Sequence, residues 1–168
     1  MPTPDLLHLS LSLHPQLPLV LTIGSNEVRK VVYDKFTTRP WATMIHPTAS
    51  VAPDAEVGIG AIIEPFVIIG SGATVGKFAV LGNGAYVGAG AYVGDYTFVG
   101  VGAVIAAGAT IEDISVVGTG AVVCANVHVG ASGTVTVGSL AVDDVPAHFV
   151  VSGSPARPIL KRLRTKLR

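Results

Sequence analysis

From Val51 onward every sixth residue is aliphatic: Val57, Ile63, Ile69, Val75, Leu81, Val87, Val93, Val99, Ile105, Ile111, Val117, Val123, Val129 and Val135 follow without a slip. In most units a small residue stands two positions earlier, as at Ala49, Ala55, Ala61, Ala73, Ala79, Ala85, Ala91, Ala103, Ala109, Ser115, Ala121 and Gly133. Glycine often follows the aliphatic residue, as at Gly58, Gly70, Gly76, Gly82 and Gly88. A period of six fits neither the 3.6-residue helix nor an alternating strand. It fits the hexapeptide repeat of a parallel β-helix, in which each unit is a short strand and a corner. The aliphatic and small residues share one strand face and point into a narrow triangular prism. Glycine after the aliphatic residue is expected to supply corner backbone angles that a β-branched residue could not reach. Three units close one coil, so fifteen make about five coils, roughly 24 Å tall at ~4.8 Å per strand.

The outward residue before each aliphatic one sorts by face at a spacing of eighteen. Face one carries Ser50, Ile68, Tyr86, Val104 and Val122; face two carries Glu56, Thr74, Tyr92, Thr110 and His128; face three carries Ile62, Val80, Phe98, Val116 and Thr134. Faces one and three are therefore apolar outside as well as inside. Soluble monomers rarely expose patches of that extent, and a closed ring buries them if face one packs near face three of a neighbour. A homotrimer through Ile68, Tyr86, Phe98, Val104, Val116 and Val122 is the expectation.

The chain divides into an N-terminal arm with an α/β element (1–45), the repeat (46–140) and an exit segment with a basic tail (141–168). Within the first, prolines at 2, 4, 15 and 18 make residues 1–17 a loose arm or an edge strand. Pro18–Ile23 reads as a buried strand. A helix follows, capped by Ser25 or Asn26, with Val28, Val31, Val32 and Phe36 on its apolar face and Arg39-Pro40 at its end. This unit plugs the first coil and guards its edge, or else is the remnant of a nucleotide-binding unit whose Gly24-Ser25-Asn26 amides face a phosphate. The tail ARPILKRLRTKLR reads as an amphipathic helix holding six of the eleven basic residues. It is a solvated cap or a contact for a phosphate-bearing ligand or an anionic lipid surface.

Composition narrows the function classes. The 49% hydrophobic content belongs to the repeat, and no apolar run is long enough to span a membrane. The start lacks a basic region and a cleavage site, so no signal peptide is read. One cysteine, Cys124, forms no internal disulfide and fits a reducing, cytoplasmic setting. A formal net charge of zero gives no long-range attraction to nucleic acid.

The hexads, the IGSNEVRKVV and MIHPTASVAPDAEVG segments and the closing DVPAHFVVSGSPARP resemble the left-handed β-helix acyltransferases. Nearest are the bacterial nucleotide-sugar N- and O-acetyltransferases of bacillosamine and sialic acid type. The resemblance covers residues 18 to 160 and implies an all-β left-handed β-helix, acetyl-CoA as cofactor, and a small-molecule acceptor. It also implies a complete nucleotide-binding domain, of which only the last strand and helix are recognisable here. The family's His-Asp or His-Glu pair falls on Ala89 and Gly90, and its second histidine on Phe98. Its cofactor groove falls near Ala106, Ala107, Thr119 and Gly120. Alanine and glycine take no proton, so no residue here is assigned the family's catalytic role.

His128 stands on the polar face with no carboxylate neighbouring it in the repeat, and an exposed lone histidine is usually inert. His46 is expected to hold a turn, and His148 has no sequence-level partner. No metal site is read, since His128 alone lies in the repeat. Three readings stay open: an acetyl-CoA-dependent sugar acetyltransferase with an unrecognised base or a weakened mechanism, a catalytically silent relative serving as a CoA-binding or partner scaffold, or a purely structural trimer.

Overall fold

In the computed structural model, residues 16–161 are described. Two-residue strands run from β1 (Met44–Ile45) to β17 (Leu140–Ala141), each separated from the next by a corner. Their pairing steps by eighteen residues and is parallel throughout, for example Phe98 with Val80 and Val116, and Val104 with Tyr86 and Val122. Three sheets result, one per face, and together they form the left-handed parallel β-helix. The expected faces are reproduced. The aliphatic column is sealed from water, as at Val87, Val99, Ile105 and Val117, and so is the small column at Ala61, Ala85 and Ala103.

The prism is longer than the unbroken register foretells, at nearly six coils. Ile45 adds a layer at the start, and at the other end Ala141 and Val145 continue the core after the aliphatic step has lapsed. Val145, not Ala147, bridges Val129, because the last corner is shorter than the others.

Glycines divide by position. Those after the aliphatic residue stand where the next coil's backbone comes close: a Cβ on Gly100 would stand 2.4 Å from the Thr119 nitrogen. The left-handed angle belongs to the residue two places later, as at Gly90 (φ 64) and Gly120 (φ 64). Non-glycine residues also take it, among them Phe78 (φ 53), Tyr96 (φ 56) and even β-branched Ile114 (φ 60). The expectation that the first kind of glycine supplies corner angles, and that β-branched residues are excluded from them, is thus corrected.

Those strained residues are where the N-terminal element docks. Its helix, α1 (Asn26–Lys35), begins as expected, with Ser25 extended at the cap and its hydroxyl accepting from the Val28 amide. It ends at Phe36, short of Arg39-Pro40. Only Leu19 of the expected strand is paired, bridging Trp41. The buried stripe also differs: Asn26 and Arg29 are buried, while Val28 and Val31 stay exposed. Asn26 donates to the Ser115 carbonyl at 2.9 Å, and Arg29 to the Tyr96 carbonyl at 2.9 Å and the Ile23 carbonyl at 3.0 Å. The corner carbonyls need donors, and two polar side chains reach them where valine could not.

Beside them Tyr33 and Trp41 pack on Phe78, which stacks on Tyr96 at 5.5 Å. Each such ring pair contributes about 0.5–1.5 kcal/mol, against about 1–3 kcal/mol for each strained backbone residue. The element therefore clasps the flank of the prism between faces two and three. It does not plug the first coil, where Met44, Ile45 and Ile59 remain about half exposed. Replacing Arg29 with methionine keeps its volume but strips the Ile23 and Tyr96 carbonyls of their partner. The expected loss is about 3 kcal/mol of stability, read by chemical denaturation. An unchanged midpoint would show that the guanidinium is not what holds α1 in place.

At the C-terminus, β18 (Phe149–Gly153) extends the face-three sheet in parallel with β16 (Thr134–Val135), and β19 (Ala156–Lys161) folds back antiparallel to it. The expected helix therefore does not form over 156–161. The open edge of β18 offers hydrogen bonds that outweigh helix propensity, and Pro158 is tolerated on an edge strand. Arg157 pairs with Asp143 at 2.8 Å and Lys161 lies over the Phe149 ring. The rest of the basic tail and the arm 1–15 lie outside the described residues.

Candidate active site

Ala89 and Gly90, the family's base and partner positions, lie exposed on the edge between faces one and two, in the corner between β8 (Tyr86–Val87) and β9 (Tyr92–Val93). Nothing stands within 4 Å of a Cβ built on Gly90. Phe98 is half-buried on face three, so the width of face two separates it from Ala89 within the chain. Ala107 lies directly below Ala89: the Gly108 amide donates to the Ala89 carbonyl at 3.0 Å, and the Asn126 amide to the Ala107 carbonyl at 3.2 Å. Thr119 and Gly120 sit on the opposite edge of face one, between faces three and one. The four cofactor positions thus flank one sheet and are not brought together within the chain.

The edge between faces one and two presents the exposed residues Ala89, Ala107 and Ala125, whose amides donate to no described residue. Three amides in the equivalent position on the edge between faces two and three are capped by carboxylates. Lys77 donates to Asp95 at 2.9 Å, Asp95 to Asp113 at 2.8 Å, and Ala131 to Glu112 at 2.8 Å. Amides in this position can therefore hold an oxygen from outside the coil. On the alanine edge they are open to a ligand.

Face two departs from the sequence expectation. His128 is not without a carboxylate: its Nε2 lies 2.9 Å from Glu112 Oε1. Glu112 follows an aliphatic residue in one coil, and His128 precedes one in the next, so the spacing is sixteen. A search for partners along the eighteen-residue columns misses that diagonal, and this is the signal that would have found it. The other Glu112 oxygen accepts from the Ala131 amide, and the His128 amide donates to Asp144 at 2.8 Å. The bond from His128, then that from Ala131, holds the Glu112 carboxyl below its usual range. Above them, Thr110 pairs with both His128 and Tyr92. Desolvation, with Asp113, Asp95 and Glu112 nearby, pushes the Tyr92 phenol up.

His46 holds its turn as expected, its Nδ1 2.9 Å from Thr48 Oγ1. Cys124 is half-buried at a corner and His148 takes a left-handed angle (φ 66). Among the described residues, no three His, Cys, Asp or Glu side chains gather as a metal site would require. No helix among them is long and apolar enough to cross a membrane.

Several solved structures share this architecture. PerB from Caulobacter crescentus, crystallised with CoA and GDP-perosamine, has a TM-score of 0.86 at 27% identity, over 92% of this chain and 76% of its own. The acetyltransferase domain of PglB from Neisseria gonorrhoeae FA1090, in complex with acetyl coenzyme A, has a TM-score of 0.85 at 27% identity, over 92% and 76%. WeeI from Acinetobacter baumannii AYE has a TM-score of 0.82 at 25% identity, over 86% and 71%. These shares are too large for the repeat alone and take in its flanking elements. No curated protein matches the chain. The sequence family described as GMPPB C-terminal domain matches residues 41–141, more than half of the chain, and to that family this protein belongs.

Proposed function

We propose that the protein is an acetyl-CoA-dependent acyltransferase acting on an amino or hydroxyl group of a nucleotide-linked sugar, working in the cytoplasm as a homotrimer. The observation that carries this reading is the open column of amides on the alanine edge, in a fold shared with PerB in its complex with CoA and GDP-perosamine. A pantetheine chain is an extended run of amides, and an edge with no bulky side chain lets it meet the backbone. Ala107, with Ala89 and Ala125, would hold it. When bound, acetyl-CoA supplies an activated acetyl group.

The trimer follows from the two apolar faces. They meet at an edge bearing Phe66, Val101 and Val137, which are 67%, 49% and 72% exposed. Turning that edge toward a threefold axis packs face one against a neighbour's face three and buries both. Thr119 and Gly120 share this edge, so Ala106 and Ala107 are the cofactor positions left open in the closed ring.

Titration calorimetry with acetyl-CoA, together with a thiol-release assay on free and nucleotide-linked amino sugars, tests the reading. Binding with turnover is expected, and no heat at millimolar acetyl-CoA would sink it. The second reading, a silent CoA-binding scaffold, is favoured by the Ala89-Gly90 pair, which takes no proton, and requires binding without thiol release.

A further inference from the structure

Acyl transfer needs a proton acceptor, and Ala89 supplies none. The geometry points to His128, oriented by Glu112, as the group that takes the acceptor's proton in this chain. The inference rests on the acetyltransferase reading above. It assigns the base to face two, one coil below Ala107, in place of the family's corner.

Three observations carry it. An ionised carboxylate only accepts hydrogen bonds. The 2.9 Å contact therefore places the proton on His128 Nε2, and Nδ1 of the neutral imidazole keeps its lone pair. Glu112 is fixed in turn, because its second oxygen is held by the Ala131 amide. The histidine backbone is anchored through Asp144. A solvated ion pair between freely moving side chains would have none of these restraints, and would be worth little. Here the pair has the parts of an oriented base: imidazole, carboxylate and a rigid scaffold.

Position agrees with the role. Asn126 lies beneath Ala107 on the alanine edge, its amide donating to the Ala107 carbonyl, and His128 follows two residues later on the adjoining face. An acetyl group presented over that edge meets face two at His128. Thr110 and Tyr92 stand above it in the same outward row, offering hydroxyls to a sugar. In the step, the acceptor's nitrogen or oxygen bonds to the acetyl carbon while the carbon–sulfur bond breaks. The acceptor's proton goes to His128 Nδ1 and from there to the departing thiolate, leaving free CoA thiol and an acetylated sugar.

Bromoacetyl-CoA tests the placement without turnover. The His128 nitrogen is expected to displace bromide, so that peptide mapping finds the adduct on His128, with labelling blocked by excess CoA. Steady-state kinetics of His128→Asn should show kcat lower by about 10²–10⁴-fold with CoA affinity kept. Glu112→Gln, a change in a positioning residue, should lower kcat by roughly tenfold at unchanged acceptor KM. An adduct on His46, His148 or Cys124 instead would overturn the assignment, as would wild-type kcat in His128→Asn. Those results leave the acetyltransferase reading standing. A wild-type protein that neither binds acetyl-CoA nor releases thiol removes that reading, and the assignment with it.

Discussion

Gly100→Ala is expected to lower stability by about 3 kcal/mol, far more than alanine usually costs outside a helix. The added Cβ would lie 2.4 Å from the Thr119 nitrogen and 2.8 Å from the Gly118 carbonyl carbon. Both are backbone, so neither can rotate away, and two coils must part to admit it. Gly102→Ala in the same corner is the internal control. Its φ of 63 strains an alanine, yet nothing lies within 4 Å of the new Cβ. That change should cost about 1–2 kcal/mol from backbone angle alone. Guanidinium denaturation of the two variants checks the order. If Gly102→Ala proves the more damaging, corner angle and not coil spacing is what selects glycine here.

The other large effect is expected at Phe98, the middle of the outer row on face three. In the proposed trimer its ring lies against a neighbour's face one, among Tyr86 and Val104. Phe98→Glu would place a carboxylate there without a counter-charge, and burying an unpaired charge is costly enough to abolish the contact. Sedimentation should show monomers, or the protein should precipitate as its apolar faces become exposed. Thr74→Glu on polar face two makes the same charge change outside the interface and should leave assembly intact. A wild-type monomer at micromolar concentration, or a trimeric Phe98→Glu, would rule out the arrangement.

The prism was legible because its signal is local and repeated. An aliphatic residue every six positions can satisfy one structure only, and each coil restates it. The same pattern sorted the outward rows into two apolar faces and one polar face. Where the pattern stops, local reading failed. Asn26 reads as a cap and Arg29 lies off the apolar face of the helix until the corners at Tyr96 and Ile114 present carbonyls to them. Residues 156–161 look helical until β18 offers an edge.

Most consequentially, His128 looked isolated because its partner lies on the diagonal between two coils. The repeat determined by itself what each side chain faces, inward or outward, since that depends on strand alternation. Only the tertiary structure decided what each outward side chain meets. That depends on how coils stack and on how far a glutamate can reach from one corner to the next face.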